Sequence, residues 1–379
     1  MNYHMPTQIV FGSGTIARLT GIIKEKLKAS RPFLVTDKGI AAAGILNRVK
    51  EPLAGVPVFD EIEPNPRHAT VDRGGELVRA LQPDLVIGLG GGSVLDAAKA
   101  MALLATNPGL IEDYEGREKY ETAPLPVLAI PTTCGTGSEV TWVSVITHTG
   151  RRFKMSVKGP LMFPAVALVD PDLLVTLPSH LVASTGLDAL THAVEAYTSK
   201  PASPITDALA LEASRLIFRY LPAAYKDIRN DAEAREGLML GSLLAGMAFG
   251  NSDVGAVHCL AEAIGSLYDT PHGVANAVFL PYVMEFNYPA AREKYAVIAA
   301  AVGFGAANQD EGAGALIRKI KALSHSLSIS SFRDLRIPEG DFVAIAQKSF
   351  ENNSNASNPR PVSADDYLAI LKRAHKTNL

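Results

Sequence analysis

PDLVIGLGGGSVLDAAKA, residues 83–100, reads as a buried strand, a glycine turn and a helix. The apolar run LVIGL does not alternate with polar residues, as expected of a strand covered on both faces. Gly90, Gly91 and Gly92 permit a tight turn and close approach of a ligand to the backbone. The helix that follows points free N–H groups at that turn, which suits a pyrophosphate, and Ser93 adds a hydroxyl donor. The bland alternative is a plain glycine turn. The usual G-x-G-x-x-G fingerprint is not met, because Leu95 stands where the third glycine belongs.

The same alternation extends outward on both sides. Strands are expected at 31–37 (RPFLVTD), 56–64 (VPVFDEIEP) and 124–133 (PLPVLAIPTT), and helices at 38–54, 70–82 and 94–106. Strands separated by helices of this length predict a Rossmann-like parallel sheet with helices on both faces. Residues 140–169 look β-rich and irregular. After VALVDPDLLVTLP (166–178) the strand signal disappears and apolar residues recur at helical spacing. We therefore expect an α/β nucleotide-binding domain over 1–178 and an all-α domain over 179–379. ENNSNASNPRP (351–361) is expected to be a surface loop before a last helix at 363–375.

A chain of 379 residues is long enough for two domains, and its net charge of -3 gives no basic face for nucleic acid. The longest apolar stretch, GLMLGSLLAGMAFG (237–250), is too short to span a bilayer. The N-terminus has no basic leader followed by an apolar core, so no secretory signal is expected. Cys134 and Cys259 are the only cysteines, which excludes a disulfide framework and an all-thiolate zinc site. A cytoplasmic location is expected.

A second polar loop follows another strand. In PTTCGTGSEVT (131–141), Thr132, Thr133, Thr136 and Ser138 crowd hydroxyls beside two glycines, although Thr and Ser are also common in plain turns. Two such loops at strand ends of one sheet point to a ligand crevice. Asp37 ends the strand at 31–37. A carboxylate there suits the ribose hydroxyls of NAD and repels the 2′-phosphate of NADP, although Lys38 beside it weakens that inference.

In the helical half, Asp188 and His192 stand four residues apart and share a helix face, as do His258 and Glu262. His272 lies in a Pro-His-Gly turn that opens another helix. A lone histidine in an apolar helix is usually structural. One carboxylate and three imidazoles together make a first shell for Fe(II) or Zn(II). Cys259 projects about 100 degrees away from His258 around a helix, so it reads as a small buried residue.

With these motifs in hand, the chain resembles the iron-containing (group III) alcohol dehydrogenases nearly end to end. The resemblance is carried by TDKG, EPNP, GGGSVLDAAK, PTTCGTGSEVT, LVDPDLLVTLP, TGLDALTHAVEAY, PHGVANAVFLPYV and NPRP. It implies the fold shared with dehydroquinate synthase, with dinucleotide and metal in a cleft between the domains. Carried over residue by residue, it implies Asp188, His192, His258 and His272 as metal ligands. It implies Asp37, Asn65, Gly91, Gly92, Ser93, Thr132, Thr133, Thr136 and Lys154 as cofactor groups. The expected activity interconverts a small alcohol and its aldehyde or ketone. Fe2+, or Zn2+ or another divalent ion, polarises the oxygen, and a hydride passes to C4 of NAD. A homodimer or larger homo-oligomer is expected, with no nucleic-acid or membrane partner. Many members carry a further histidine one turn after the third ligand, where this chain has Glu262, which we read as a proton relay or a support to the metal. The rival readings are a zinc-dependent polyol dehydrogenase, a maleylacetate-type reductase without metal, a non-redox lyase like dehydroquinate synthase, a nucleotide sensor and an iron oxygenase.

Overall fold

The computed structural model describes residues 2–305 and 307–377. Met5–Leu177 form one compact unit, and the chain from Pro178 onward, joined by the N-terminal residues through His4, forms another.

The first unit is built on six strands: β1 (Gln8–Phe11), β2 (Pro32–Val35), β3 (Val58–Phe59), β4 (Leu85–Gly90), β6 (Val127–Pro131) and β9 (Val166–Val169). They pair in parallel in the order β1-β9-β6-β4-β2-β3, with Val86 opposite Val127 and Val10 opposite Leu168. Successive side chains of a strand point to opposite faces, and here both faces are apolar. Phe33, Val35, Val86 and Val127 join one buried cluster with residues of α4 (His68–Leu81) and α5 (Gly92–Thr106). Leu34, Leu85, Ile87, Leu89, Leu128 and Ile130 join the other. That second cluster includes Leu19 of α1 (Leu19–Gly21) and Ile45 and Val49 of α3 (Ile45–Lys50). The irregular segment holds a smaller sheet, in which β5 (Gly116–Arg117) flanks the antiparallel pair β7 (Val143–His148) and β8 (Phe153–Lys158).

Two local expectations need correction. The single helix expected over 38–54 is broken into α2 (Lys38–Ala42) and α3, because Gly44 adopts a left-handed conformation (φ 75°) between them. The strand expected over 56–64 shrinks to Val58–Phe59 at the sheet edge, where Pro57, Pro64 and Pro66 supply no N–H.

The order of strands positions the ligand loops. From β2 the chain runs to the edge strand β3, then returns to β4 on the other side of β2. The direction of winding thus switches between β2 and β4, and open parallel sheets bind ligands outside the carboxyl ends of strands at such a switch. Asp37 follows β2, Gly91, Gly92 and Ser93 follow β4, and Thr132, Thr133 and Thr136 lie at or beyond the end of neighbouring β6.

The second unit contains α6 (Ser179–Thr198), α7 (Pro204–Asp227), α8 (Ala232–Ser252), α9 (Ala256–Tyr268), α10 (His272–Ala301), α11 (Gln309–Ser326), α12 (Phe342–Glu351) and α13 (Ala364–Lys376). α6 is buried almost all round beyond its first turn, the mark of a central helix. The apolar stretch at 237–250 lies inside α8. Among the described residues no helix is long and apolar enough to cross a membrane. The segment 351–361 is not the surface loop its composition suggests. It forms a short 3-10 helix, Asn353–Ser357, and Asn358 is only 1% exposed. Asn358 ties the segment to the helices beneath it: its Oδ1 accepts from Ala256 N–H (3.2 Å) and from Asn287 Nδ2 (3.0 Å).

Candidate functional site

Three helices bring the four predicted metal ligands together. Asp188 and His192 stand one turn apart on α6, His258 is the third residue of α9, and His272 is the first of α10. One donor atom from each lies within 4.8 Å of all the others, and Asp188, His192 and His258 are buried. The ring centroids of His192 and His258 are 4.5 Å apart, and those of His258 and His272 are 5.2 Å apart. Phe249 of α8 stacks on His192 at 4.2 Å and holds that ring in place.

The surroundings fit a cation. Asn276 Nδ2 lies 2.6 Å from Asp188 Oδ1, 3.1 Å from His258 Nε2 and 3.1 Å from His272 Nε2. An amide offers two hydrogens, so three converging acceptors exceed what Asn276 can satisfy. Its own Oδ1 is buried with no hydrogen-bond partner among the described residues. A cluster rich in lone pairs and short of protons suits a divalent ion with nitrogen and oxygen ligands. Burial pulls the pKa of His258 down. The hydrogen bond and charge of Glu195, with Asp188 and Glu262 beyond, outweigh that, and the net direction is upward.

Close packing explains the Pro-His-Gly turn. A Cβ on Gly273 would sit 2.5 Å from the Ser184 carbonyl oxygen, so glycine lets α10 start against the α6 backbone. Glu262 stands one turn beyond His258 but is not among the converging donors; its Oε2 accepts from Asn352 Nδ2 at 2.6 Å. Cys259 is fully buried, as its angular offset predicts.

In the first unit the two polar loops meet. A Cβ on Gly92 would lie 2.6 Å from Thr136 Cγ2, and one on Gly91 would lie 3.2 Å from Thr133 Cγ2. No side chain caps the N-terminus of α5, which begins at Gly92. Thr132 Oγ1 is buried without a hydrogen-bond partner among the described residues. An uncapped helix start, a glycine cradle and an unsatisfied hydroxyl fit a phosphate-bearing ligand. Asp37 stands at the end of the adjacent strand and serves as N-cap of α2, its Oδ1 accepting from Ile40 N–H at 2.9 Å. Asn65, in a left-handed conformation (φ 54°), accepts from Lys154 Nζ at 2.8 Å, and both are buried.

The loop is fixed by groups that sequence reasoning missed. The Asp96 carboxylate on α5 accepts from Ser138 Oγ (2.5 Å) and Val145 N–H (2.9 Å) and pairs with Lys99 at 3.1 Å. Lys99, 1% exposed, donates to the carbonyls of Ser138 and Val143. The signal was available: two charges three residues apart on an otherwise apolar helix. Glu139, 3% exposed, has its pKa pushed up to about 7 by burial. Around the metal cluster the missed residues are Glu195, Asn276 and Asn358.

Two family descriptions match. Residues 6–171 fit the iron-containing alcohol dehydrogenase model, and residues 182–375 fit the C-terminal model of the Fe-containing alcohol dehydrogenase family. Alcohol dehydrogenase 4 of Saccharomyces cerevisiae is 39% identical over 379 residues, covering 99% of this chain and 98% of the relative. The crystal structure of a 1,3-propanediol oxidoreductase superposes with a TM-score of 0.94 at 39% identity, covering 98% of this chain and 99% of that one. Sulfoacetaldehyde reductase from Bifidobacterium kashiwanohense, solved with NAD+, gives a TM-score of 0.90 at 31% identity, covering 100% of this chain and 99% of that one. Fold, motifs and likeness agree over nearly the whole length: the chain is an oxidoreductase that belongs to the iron-containing alcohol dehydrogenase family.

Proposed function

We propose that this enzyme interconverts a small alcohol and its aldehyde or ketone with NAD(H), using a divalent ion held by Asp188, His192, His258 and His272. The convergence of those four donors within 4.8 Å carries the reading. When bound, the ion supplies Lewis acidity that polarises the substrate oxygen, and the dinucleotide accepts or returns the hydride. Family membership favours iron, and zinc is the alternative. In this reading the unit Met5–Leu177 holds the dinucleotide and the helical unit holds the metal.

The side chains divide the work. The α5 N-terminus with Gly91, Gly92 and Ser93 receives the pyrophosphate, and Thr132, Thr133 and Thr136 add hydroxyl donors. Asp37 engages the ribose hydroxyls and disfavours NADP, because its carboxylate repels a 2′-phosphate. Lys154 and Asn65 act as one buried polar pair toward the cofactor. NAD+ in the solved sulfoacetaldehyde reductase supports the choice of nicotinamide. Glu262, one turn from His258, is the proton carrier or a support to the metal, held through Asn352.

A small diol is the second substrate reading, favoured by the likeness to 1,3-propanediol oxidoreductase. A homodimer or larger homo-oligomer in the cytoplasm completes the proposal; Cys134 and Cys259 are buried and not joined in a disulfide, which agrees with a reducing compartment.

The test is anaerobic reconstitution with Fe(II) or Zn(II). Absorbance at 340 nm is followed with NAD and a panel of primary alcohols and diols, and with NADH and the matching aldehydes. Metal-dependent turnover is expected. An undiminished rate in a metal-free protein lacking both His258 and His272 side chains refutes it.

A further inference from the structure

We propose that Glu195 is a positioning residue: it fixes the tautomer and aim of His258 and thereby sets the affinity of the four-donor cluster for a divalent ion. The inference rests on the metal-binding reading above.

α9 starts without a side-chain cap of its own. The first N–H groups of a helix have no partner within it. Here the N-cap is Gly255, which has no side chain to offer. Two distant side chains take its place: Ala256 N–H donates to Asn358 Oδ1 at 3.2 Å, and Val257 N–H donates to Glu195 Oε1 at 2.8 Å. A Cβ on Gly255 would lie 2.9 Å from that Asn358 oxygen and 3.1 Å from that Glu195 oxygen, so the glycine admits both acceptors.

The second oxygen of Glu195 meets the ring of His258, Oε2 to Nδ1, at 2.6 Å. A carboxylate only accepts, so the proton resides on Nδ1. That leaves the lone pair of Nε2 directed at the converging donors, where Asn276 Nδ2 stands 3.1 Å away. One carboxylate, 5% exposed, thus fixes both the backbone that carries His258 and the face its ring presents. Burial of the charge is tolerable because both oxygens are engaged. Glu195 also lies three residues after His192 on α6, so two ligands and this orienting group share one helix.

Glu195→Gln keeps the shape and removes the double acceptor. Its amide offers oxygen to only one of the two N–H groups. If NH2 faces the ring, the imidazole proton moves to Nε2, which then cannot ligate. Partners of this kind are typically worth about 10- to 100-fold in metal affinity.

The test uses the full-length protein stripped of metal and titrated with Zn(II) against a chromophoric chelator. The expected result is one tight site in the wild type and binding weaker by about 10- to 100-fold in E195Q. Equal affinities overturn the role of Glu195 and leave the metal site standing. A wild type that binds no Zn(II) overturns the metal reading and this inference with it. A second measurement needs no variant: 15N chemical shifts of the His258 ring in metal-free wild-type protein, at a pH where the ring is neutral. An Nδ1–H tautomer is expected, and an Nε2–H tautomer overturns the proposal even if E195Q does not fold.

Discussion

Replacing Glu139 by Gln tests whether the threonine-rich loop is built around a carboxyl that prefers to be neutral. The residue is 3% exposed, and burial raises its pKa from 4.5 to about 7 against the opposing pull of a backbone hydrogen bond and the charge of Lys99. Between those two values the folded protein holds a proton that the unfolded chain has released. The contribution of Glu139 to stability is therefore fullest below pH 4.5, falls as pH rises toward about 7, and levels off above it. The rise in pKa corresponds to about 3 kcal/mol. Gln carries no charge at any pH. Lys99 keeps its partner Asp96 at 3.1 Å, so little of the gain is lost through that cation. E139Q should match the wild type near pH 4.5 and exceed it by about 2–3 kcal/mol at pH 8.5. Urea unfolding of both proteins, followed by circular dichroism at half-unit steps between those limits, measures the difference. A difference that does not change with pH, or a variant weaker than the wild type at pH 8.5, refutes the reasoning.

Other perturbations separate the parts of the site. Gly273→Ala places a methyl 2.5 Å from a backbone oxygen of α6, which cannot swing aside. It should cost about 1–3 kcal/mol by overpacking and lower bound zinc after dialysis, because His272 moves with the helix start; full retention of zinc contradicts this. Gly92→Ala drives a methyl into Thr136, so KM for NAD should rise about 10-fold, roughly 1.4 kcal/mol, with zinc binding unchanged. A raised KM for the alcohol alone would refute that assignment. Asp37→Asn keeps the cap on Ile40 N–H while removing the charge, so NADP use should increase without loss of stability. Asp37→Ala should also lose about 1 kcal/mol. Equal coenzyme preference in all three proteins, judged by kcat/KM, removes the ribose role.

What was legible in the sequence was local. Asp188 with His192, and His258 with Glu262, are visible because helix spacing alone puts them on one face. The sheet was visible because strands buried on both faces become uninterrupted apolar runs. β1 went unread: its partner β9 lies more than 150 residues away, and parallel pairing leaves no turn to announce it. Asn358 went unread for a related reason. Its stretch has the composition of a surface loop, yet its side chains satisfy a helix start about a hundred residues upstream. Glu195 did carry a signal, a carboxylate on the same apolar face as two ligands, but spacing cannot say which distant N–H groups it serves.

The missed groups address an electrostatic problem that the ligand list alone hides. His258 and His272 lie within the first turn of α9 and α10, and a helix N-terminus carries roughly half a positive charge. Two such ends facing a dication oppose its binding, and Asp188 supplies only one negative charge among the four donors. Glu195 adds a second negative charge, placed on the Val257 N–H in the first turn of α9, where that helix is most positive. The carboxylate that aims the ring of His258 therefore also lowers the repulsion between helix and ion. A ligand reaching in from a helix start calls for an acceptor behind it, and here α6 supplies the acceptor from the same face that carries Asp188 and His192.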